Sequence, residues 1–285
     1  MNITFAGHES KGAWLIRAKE IAPYLNAKLD PLFLNSNNCN LVIIVKRPEP
    51  EVINRIKRQS IPIIWDIQDS FPQLPKNNYG ELSKDKILDY YVKLLKEISP
   101  TIVISTNSQM KKDIEELGFK SVIINHHHRK NITVNPLREK LITLGIEGSP
   151  FQYGKWQKKL HSICKKLNLT FKPNLNASKD KLHFFDVVVN IRSFDGYAAK
   201  YWKSNIKLAN AHGSGTPAIC SRSQSYLDTA SGYERWADTE EEIITAIEEL
   251  RPYEVRKEIH EHFLKHKIGI DDVVKEYQNL IDSIK

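Results

Sequence analysis

The amino-acid sequence predicts an α/β protein made of two doubly wound parallel sheets that face each other across a cleft. Short apolar runs alternate with helical segments along the whole chain, which is typical of parallel sheets covered by helices on both faces. At 285 residues the chain exceeds one average domain. We therefore expect one domain over residues 1–135, a second over 136–270, and a C-terminal helix, 271–285, that packs back on the first.

In the first half, apolar runs of strand length are each followed by a segment whose apolar residues have helical spacing. The predicted strands are 2–6, 41–46, 61–65, 101–105 and 121–124. The predicted helices are 13–25, 51–58, 84–98 and 108–117. Each strand is thus joined to the next by a helix, as a parallel sheet requires.

A second alternation of the same kind begins after residue 140. Strands are predicted at 141–146, 170–172, 184–191 and 218–220. Helices are predicted at 155–167, from Ser204 onward, at 223–230, at 239–250 and at 271–284. Thr239 and Glu242 have the spacing of a capping box at the start of one of these helices.

Composition and charge favour a globular protein with an anionic partner. Hydrophobic residues make up 41% of the chain, and no stretch approaches the roughly 20 apolar residues of a membrane span. The start of the chain lacks the order of a signal peptide, so we expect a cytoplasmic protein, in the host cytoplasm if the source is a phage. The net charge of +8 favours nucleic acid, acidic membrane or phosphorylated small molecules.

The segment KSNIKLANAHGSGTP, residues 203–217, predicts a phosphate site. An apolar strand ends at Arg192, and a helix begins near Ser204, where unpaired backbone N–H groups and the helix dipole favour an anion. We expect donor phosphates to be bound by Arg192, Lys203, Ser204, Asn205 and Lys207. The alternative is an ordinary strand–helix unit with solvated lysines.

Polar residues after the strands of the first half are the candidates for catalysis, because open parallel sheets bind ligands at the carboxyl ends of their strands. Asp69, Asp66 and His8 are the candidate bases, with Asp69 preferred. The alternative role for each is to cap a loop or a turn. The polar loop after the first strand and the helix behind it supply the acceptor-side candidates Lys11, Gly12 and Trp14.

The run His126–His128 and the three cysteines are not expected to bind metal. Adjacent residues of an extended segment point alternately to opposite sides, so three in a row do not close around one ion. Cys39, Cys164 and Cys220 are scattered without metal-ligand spacing and are expected to be reduced thiols. We expect the histidines to line the cleft at the junction of the two domains.

Several phrases resemble the retaining, nucleotide-sugar-dependent glycosyltransferases of the GT-B fold, whose two domains are Rossmann-like. DVVVNIRSFDG…KLANAHGSGTPAI is similar to that family's strand, loop and helix ending in Ala-x-Gly-x-Pro. GYERWADTEEEIITAIEEL and STNSQMKKDIEELGF are similar to its next segment and to the corresponding part of its first domain. The resemblance implies transfer of a sugar from a nucleoside-diphosphate sugar to a hydroxyl group, with retention, without a metal and without a further cofactor.

One residue departs from the family pattern. The family usually has a glutamate seven residues before the proline, where it contacts the donor ribose, and this chain has Asn210 there. The preceding loop offers Asp195 at a different spacing. By the resemblance, the ribose, base or sugar of the donor is expected to contact Asn210, Asp195, Gly148, Ser149 and Tyr197.

The sequence leaves the acceptor open. Strong positive charge and the lack of a recognisable membrane-docking helix favour a hydroxymethylated base in DNA, as in phage enzymes of this fold. The alternatives are a cell-envelope or lipid-linked saccharide as acceptor, a sugar-nucleotide epimerase, and a non-catalytic module that binds nucleotide or nucleic acid. We expect a monomer or a weak dimer.

Overall fold

The computed structural model describes residues 1–9, 12–69, 83–148, 154, 156–174, 181–192 and 196–284. Its first sheet consists of β1 (Ile3–Gly7), β2 (Lys28–Leu29), β3 (Leu41–Val45), β4 (Ile63–Asp66), β5 (Ile102–Ser105) and β6 (Ser121–Ile123). The strands are parallel, in the order β2-β1-β3-β4-β5-β6. Strands β1 and β3 are buried along their whole length and pair from Ile3–Leu41 to Gly7–Val45.

Helices cover this sheet: α1 (Gly12–Trp14), α2 (Pro50–Lys57), α3 (Lys84–Ile98) and α4 (Ser108–Glu116). The single helix predicted over 13–25 is wrong. Helix α1 passes into a π-helical turn, Leu15–Lys19, and a separate 3₁₀ turn follows at Ala22–Leu25. Pro23 lies in that turn and has no N–H to donate, so a regular helix does not continue through it.

The second sheet is also fully parallel. Its strands are β7 (Thr143–Glu147), β8 (Thr170–Asn174), β9 (Val187–Asn190), β10 (Ala218–Cys220) and β11 (Arg235–Trp236). Their order is β11-β10-β9-β7-β8. The predicted architecture of two parallel sheets with covering helices is therefore confirmed.

The helices of the second half are α5 (Trp156–Lys166), α6 (Tyr197–Tyr201), α7 (Ile206–Ser214), α8 (Gln224–Leu227), α9 (Glu240–Glu249), α10 (Tyr253–His266) and α11 (Ile270–Asp282). The predicted capping box of Thr239 and Glu242 is present at the start of α9. Helices α6 and α10 were not predicted, and the helix predicted over 223–230 is only the short α8.

The C-terminal helix α11 belongs to the core of the first domain. Its buried residues Val273, Tyr277, Leu280 and Ile281 pack with the apolar side chains of β1 and β3. The chain therefore crosses back from the second domain to the first at its end.

The chain of the second domain also contacts the first domain at α6. Trp202, at the end of this helix, is buried in the core of the first domain and packs on Tyr91, with 4.3 Å between ring centroids. Its indole N–H donates to Asp113 of α4 at 2.7 Å, and the Tyr197 hydroxyl donates to the same carboxylate at 2.8 Å. These contacts hold the carboxyl ends of the two sheets opposite each other.

Candidate functional site

Polar side chains from both sheets meet where the carboxyl ends of their strands face each other. Lys46 follows β3 and Asp69 follows β4, and the charge of Asp69 interacts with cations of the second domain. The second domain contributes a glutamate at the end of β7 and three cations from the segment after β9: Glu147, Arg192, Lys203 and Lys207. This group of residues is the candidate site.

The first domain presents an ion pair to the site. The Lys46 ammonium lies 3.3 Å from the Asp69 carboxylate. Burial raises the pKa of Asp69, but the charges of Lys46, Lys203 and Arg192 lower it by more, so its pKa lies below the ordinary value. The Tyr91 hydroxyl donates to the Asp69 carbonyl at 2.9 Å and helps to fix this residue. Asp69 is thus held ionised beside three cations.

Arg192 is fixed by contacts on two sides. Its Nη2 donates to the carbonyl of Ser204 at 2.7 Å, and its guanidinium lies 4.5 Å from the centroid of the buried Tyr226 ring. Within the described part of the chain, the Arg192 Nε and the Tyr226 hydroxyl are buried and make no hydrogen bond. Unpaired buried polar atoms of this kind are costly unless another group binds them.

Lys207 lies on the first turn of α7 and is 9% exposed. Burial lowers its pKa to about 7, and the charges of Arg192 and Lys203 act in the same direction against those of Glu147 and Asp69. No hydrogen bond or ion pair links its ammonium to another described residue. A buried lysine among other cations is the arrangement expected where an anion binds.

The two asparagines predicted to contact the donor lie inside a hydrogen-bond network at the domain junction. Asn205 accepts from the His126 N–H at 2.9 Å and donates to its carbonyl at 3.4 Å. Asn210 is fully buried, donates to Glu147 and accepts from the Arg129 N–H at 3.1 Å. Arg129 in turn pairs with Glu147 at 3.1 Å. Both amides therefore fix the linker between the domains, and a contact with the donor stays a prediction.

Asp66 does not face the cleft, contrary to expectation. It is 0% exposed and accepts from the Tyr277 hydroxyl at 2.5 Å, and the Arg17 guanidinium lies 3.5 Å away. Burial raises its pKa, against the effects of Arg17, Tyr277 and Gln68. Because helix α11 covers this carboxylate, Asp66 is not placed to act as the catalytic base.

The other predicted residues of the first domain differ in their exposure to solvent. His8 is exposed at the end of β1 and lines a cavity there, Gly12 is exposed at the start of α1, and Trp14 is buried in the core. Because Trp14 is buried, it does not offer its ring to an acceptor. Lys11 lies outside the described residues.

The remaining donor-side predictions are divided between the cleft and the domain junction. Tyr197 lines a cavity of about 540 Å³ together with Arg192, Ser221 and Ser223, within the usual size range of small-molecule sites. Ser204 is buried, with its carbonyl bound by Arg192, and Gly148 is buried at the end of β7. Ser149 and Asp195 lie outside the described residues.

The three histidines of the linker have separate surroundings. His126 is buried, and burial lowers its pKa well below the ordinary value. The rings of His127 and His128 lie 2.6 Å and 2.8 Å from backbone carbonyls of the next residues. The described residues include no group of three side chains suited to hold a metal ion.

Three solved structures share this arrangement of two domains. The lipopolysaccharide outer core galactosyltransferase WaaB superposes with a TM-score of 0.60 and 12% identity, over 100% of both chains. MurG of Acinetobacter baumannii superposes with a TM-score of 0.54 and 10% identity, over 98% of this chain and 100% of MurG. Trehalose-6-phosphate synthase superposes with a TM-score of 0.53 and 9% identity, over 86% of this chain and 74% of the synthase.

The chain has the GT-B fold. The low identities mean that the likeness establishes the fold and not the substrates. No protein-family model matches the sequence, and no curated protein matches it. Across the described residues, we find no helix with the length and apolar character needed to cross a membrane.

Sequence reasoning missed two residues of the site, Lys46 and Glu147, and two that contact it, Arg129 and Tyr226. Lys46 and Glu147 stand at strand ends, so the same rule that selected Asp69 applies to them. Arg129 and Tyr226 reach the site through contacts between elements far apart in sequence, and no local pattern marks them.

Proposed function

We propose that the chain is a glycosyltransferase that moves a sugar from a nucleoside-diphosphate donor to a hydroxyl group. The observation that carries this proposal is the convergence of Arg192, Lys203 and Lys207 opposite Asp69 at the carboxyl ends of two parallel sheets in a GT-B fold. The named site residues carry more positive than negative charge, which suits an anionic ligand.

The cations are suited to stabilise the leaving group. When the bond between the sugar and the diphosphate breaks, negative charge builds on the phosphate oxygens. Electrostatic stabilisation by one well-placed donor is typically worth about 2.7–4 kcal/mol of barrier. We propose that Arg192, Lys203 and Lys207 supply this stabilisation without a metal ion, with the base and ribose of the donor directed toward the cavity beside Tyr197.

We propose that the reaction retains the configuration of the sugar. In a retaining route, the departing phosphate accepts the proton of the acceptor hydroxyl. An inverting route needs a protein base, and the efficient base at neutral pH has a pKa near 7. The pKa of Asp69 lies below its ordinary value, so this carboxylate is better suited to orient the acceptor than to remove its proton.

Two classes of acceptor are candidates for this reaction. A hydroxymethylated base in DNA is supported by the net charge of +8 alone. A saccharide acceptor is the alternative, and WaaB, with the same fold over its full length, is a galactosyltransferase of the lipopolysaccharide outer core. Both belong in the activity assay.

The direct test is a turnover assay with a panel of nucleoside-diphosphate sugars, with hydroxymethylated duplex DNA and with oligosaccharides as acceptors. We expect nucleoside diphosphate and one glycosylated product for one donor, and loss of both in Lys207→Ala. Lys257→Ala, which removes an exposed lysine of α10, is the matched control. Donor conversion without any acceptor would instead indicate an epimerase, and no turnover together with no nucleotide binding would indicate a binding module.

A further inference from the structure

A cavity of about 410 Å³ opens on the first domain and has no part in donor binding as proposed. It lies at the end of β1, where Gly7 and His8 line it, and reaches Glu49 and Val52 at the start of α2. Gly7 pairs with Val45, the residue before Lys46, so the cavity lies beside the strand end that carries the Lys46–Asp69 pair. Its volume falls in the range of about 300–1,000 Å³ typical of small-molecule sites.

The fold builds one wall of this cavity from two exposed leucines. Phe33 is 3% exposed and packs in the core, whereas its neighbours Leu32 and Leu34 are 50% and 56% exposed and line the cavity. The Asp30 carboxylate holds this loop by accepting hydrogen bonds from the Leu34 N–H at 3.0 Å and the Asn35 N–H at 2.7 Å. The wall is therefore fixed by the chain itself.

The same loop is tied down from a second side. The Ser36 hydroxyl donates to Asp30 at 2.8 Å, and Arg55 of α2 donates to the carbonyl of Leu32. Val52, also on α2, lines the same cavity and is buried. Apolar surface that is held open to solvent in this way is unfavourable, and covering it with an apolar group lowers the free energy.

The charges around the cavity disfavour an anion. Its charged lining residues, within the described part of the chain, are Glu9, Asp30 and Glu49, all of them acidic although the chain carries a net charge of +8. Glu9 pairs with Lys19 at 3.1 Å, while Glu49 is exposed. A phosphate placed here would meet like charge.

We propose that this cavity binds an uncharged, apolar group of the acceptor, such as an alkyl or aryl aglycone, beside the hydroxyl that reacts. The inference rests on the proposed glycosyltransferase function and names its acceptor class: a neutral glycoside with an apolar substituent. Duplex DNA does not satisfy this description, since each nucleotide brings a phosphate to the acidic rim.

The test compares phenyl and methyl β-D-glycosides of glucose, galactose and N-acetylglucosamine, titrated into protein with ¹³C-labelled leucine methyl groups. We expect at least one phenyl glycoside to shift the Leu32 and Leu34 resonances and to bind about tenfold more tightly than its methyl counterpart, because the ring covers apolar surface. Equal binding of the two glycosides overturns the proposal, as does a lack of any shift at both leucines.

Variants and a nucleotide titration separate this inference from the function on which it rests. In the Leu34→Ser and Leu32→Ser variants, we expect the phenyl glycoside to lose most of its tighter binding relative to the methyl glycoside. Leu227 is an exposed leucine of the second domain, and we expect Leu227→Ser to keep this difference in affinity. If duplex DNA at low salt shifts the two leucines, the apolar acceptor is wrong. Titration of nucleoside diphosphates into the same sample tests the donor site independently. The apolar acceptor cavity and the donor site can therefore be contradicted separately.

Discussion

The indole of Trp202 donates a hydrogen bond to the carboxylate of Asp113 at 2.7 Å, across the junction between the two domains. Trp202 directly precedes Lys203, whose carbonyl accepts hydrogen bonds from Asn107 and Thr106 of the first domain at 3.2 Å and 3.4 Å. The segment that carries Lys203 and Lys207 is therefore supported by the opposite domain. The positions of these cations depend on domain docking as well as on the second sheet.

Replacement of Trp202 by phenylalanine tests this coupling. The variant keeps an aromatic ring in the core but removes the N–H donor to the buried Asp113. We expect the free energy of unfolding to fall by about 1–3 kcal/mol, and nucleotide affinity to fall several-fold. Urea unfolding followed by circular dichroism measures the first effect. Trp236→Phe, at a half-buried tryptophan of β11, is the control, and equal stability of the two variants would contradict the account.

We expect Lys207 to lower the free energy of unfolding of the protein, although it favours the binding of an anion. Its pKa is about 7 in the folded protein, whereas an unperturbed lysine has a pKa of about 10.4. Between these values the unfolded chain binds more protons, so the contribution of Lys207 to the free energy of unfolding rises with pH from about 7 to about 10. At or below pH 7 the destabilising effect is at its largest.

Lys207→Met is therefore expected to be more stable than the wild type at pH 7, by on the order of 1 kcal/mol, because it removes a buried cation from among other cations. The gain is expected to shrink as the pH approaches 10. Thermal unfolding over pH 6 to 10 measures both the sign and the trend. A methionine variant that is less stable at pH 7 would show that the charge of Lys207 is compensated within the folded chain.

Asp69→Asn separates orientation of the acceptor from binding of the donor. Removing the carboxylate leaves Lys203 and Arg192 without one anionic neighbour, so nucleotide affinity is expected to stay equal or to increase. Turnover is expected to fall by roughly 10²-fold, because the acceptor is no longer held in its reactive orientation. Measurement of kcat together with nucleotide Kd tests this separation, with Asp89→Asn, an exposed aspartate of α3, as the control. Unchanged turnover would remove Asp69 from the site.

Tyr277→Phe tests how α11 is attached to the first domain. The tyrosine hydroxyl donates to the fully buried Asp66 at 2.5 Å, so the variant leaves that carboxylate short of a donor. We expect a loss of about 1–3 kcal/mol in the free energy of unfolding, with turnover of the folded protein preserved. Tyr24→Phe, at an exposed tyrosine, is the control. A loss of turnover without a loss of stability would return Asp66 to the catalytic candidates.

The alternation of apolar runs and helical segments predicts both sheets because it depends only on local pattern. Helix α10 escaped prediction because just three of its residues, Arg256, Ile259 and Phe263, are buried and most of its other residues are polar. Helix α6 is five residues long and is stabilised by the first domain, which no local signal reveals.

The candidate site was partly predictable for the same reason. Arg192 and Lys207 follow a strand and begin a helix, which are local features. The burial of Asp66 was not predictable, since Tyr277 reaches it from 211 positions further along the chain. Likewise, the acidic rim and leucine wall beside His8 come together only in the folded first domain.

The measurement that most directly tests the central claim is calorimetric titration of nucleoside diphosphates into the wild type, Lys207→Ala and Lys257→Ala at pH 6.5 and 8.5. We expect one nucleotide to bind the wild type and Lys257→Ala alike, and Lys207→Ala at least about tenfold more weakly. Wild-type affinity is expected to fall by up to about tenfold per pH unit above 7, with uptake of a proton, because the anion binds the ammonium form of Lys207. If no nucleotide binds, or if Lys207→Ala binds as tightly as the wild type, the three cations do not form a diphosphate site.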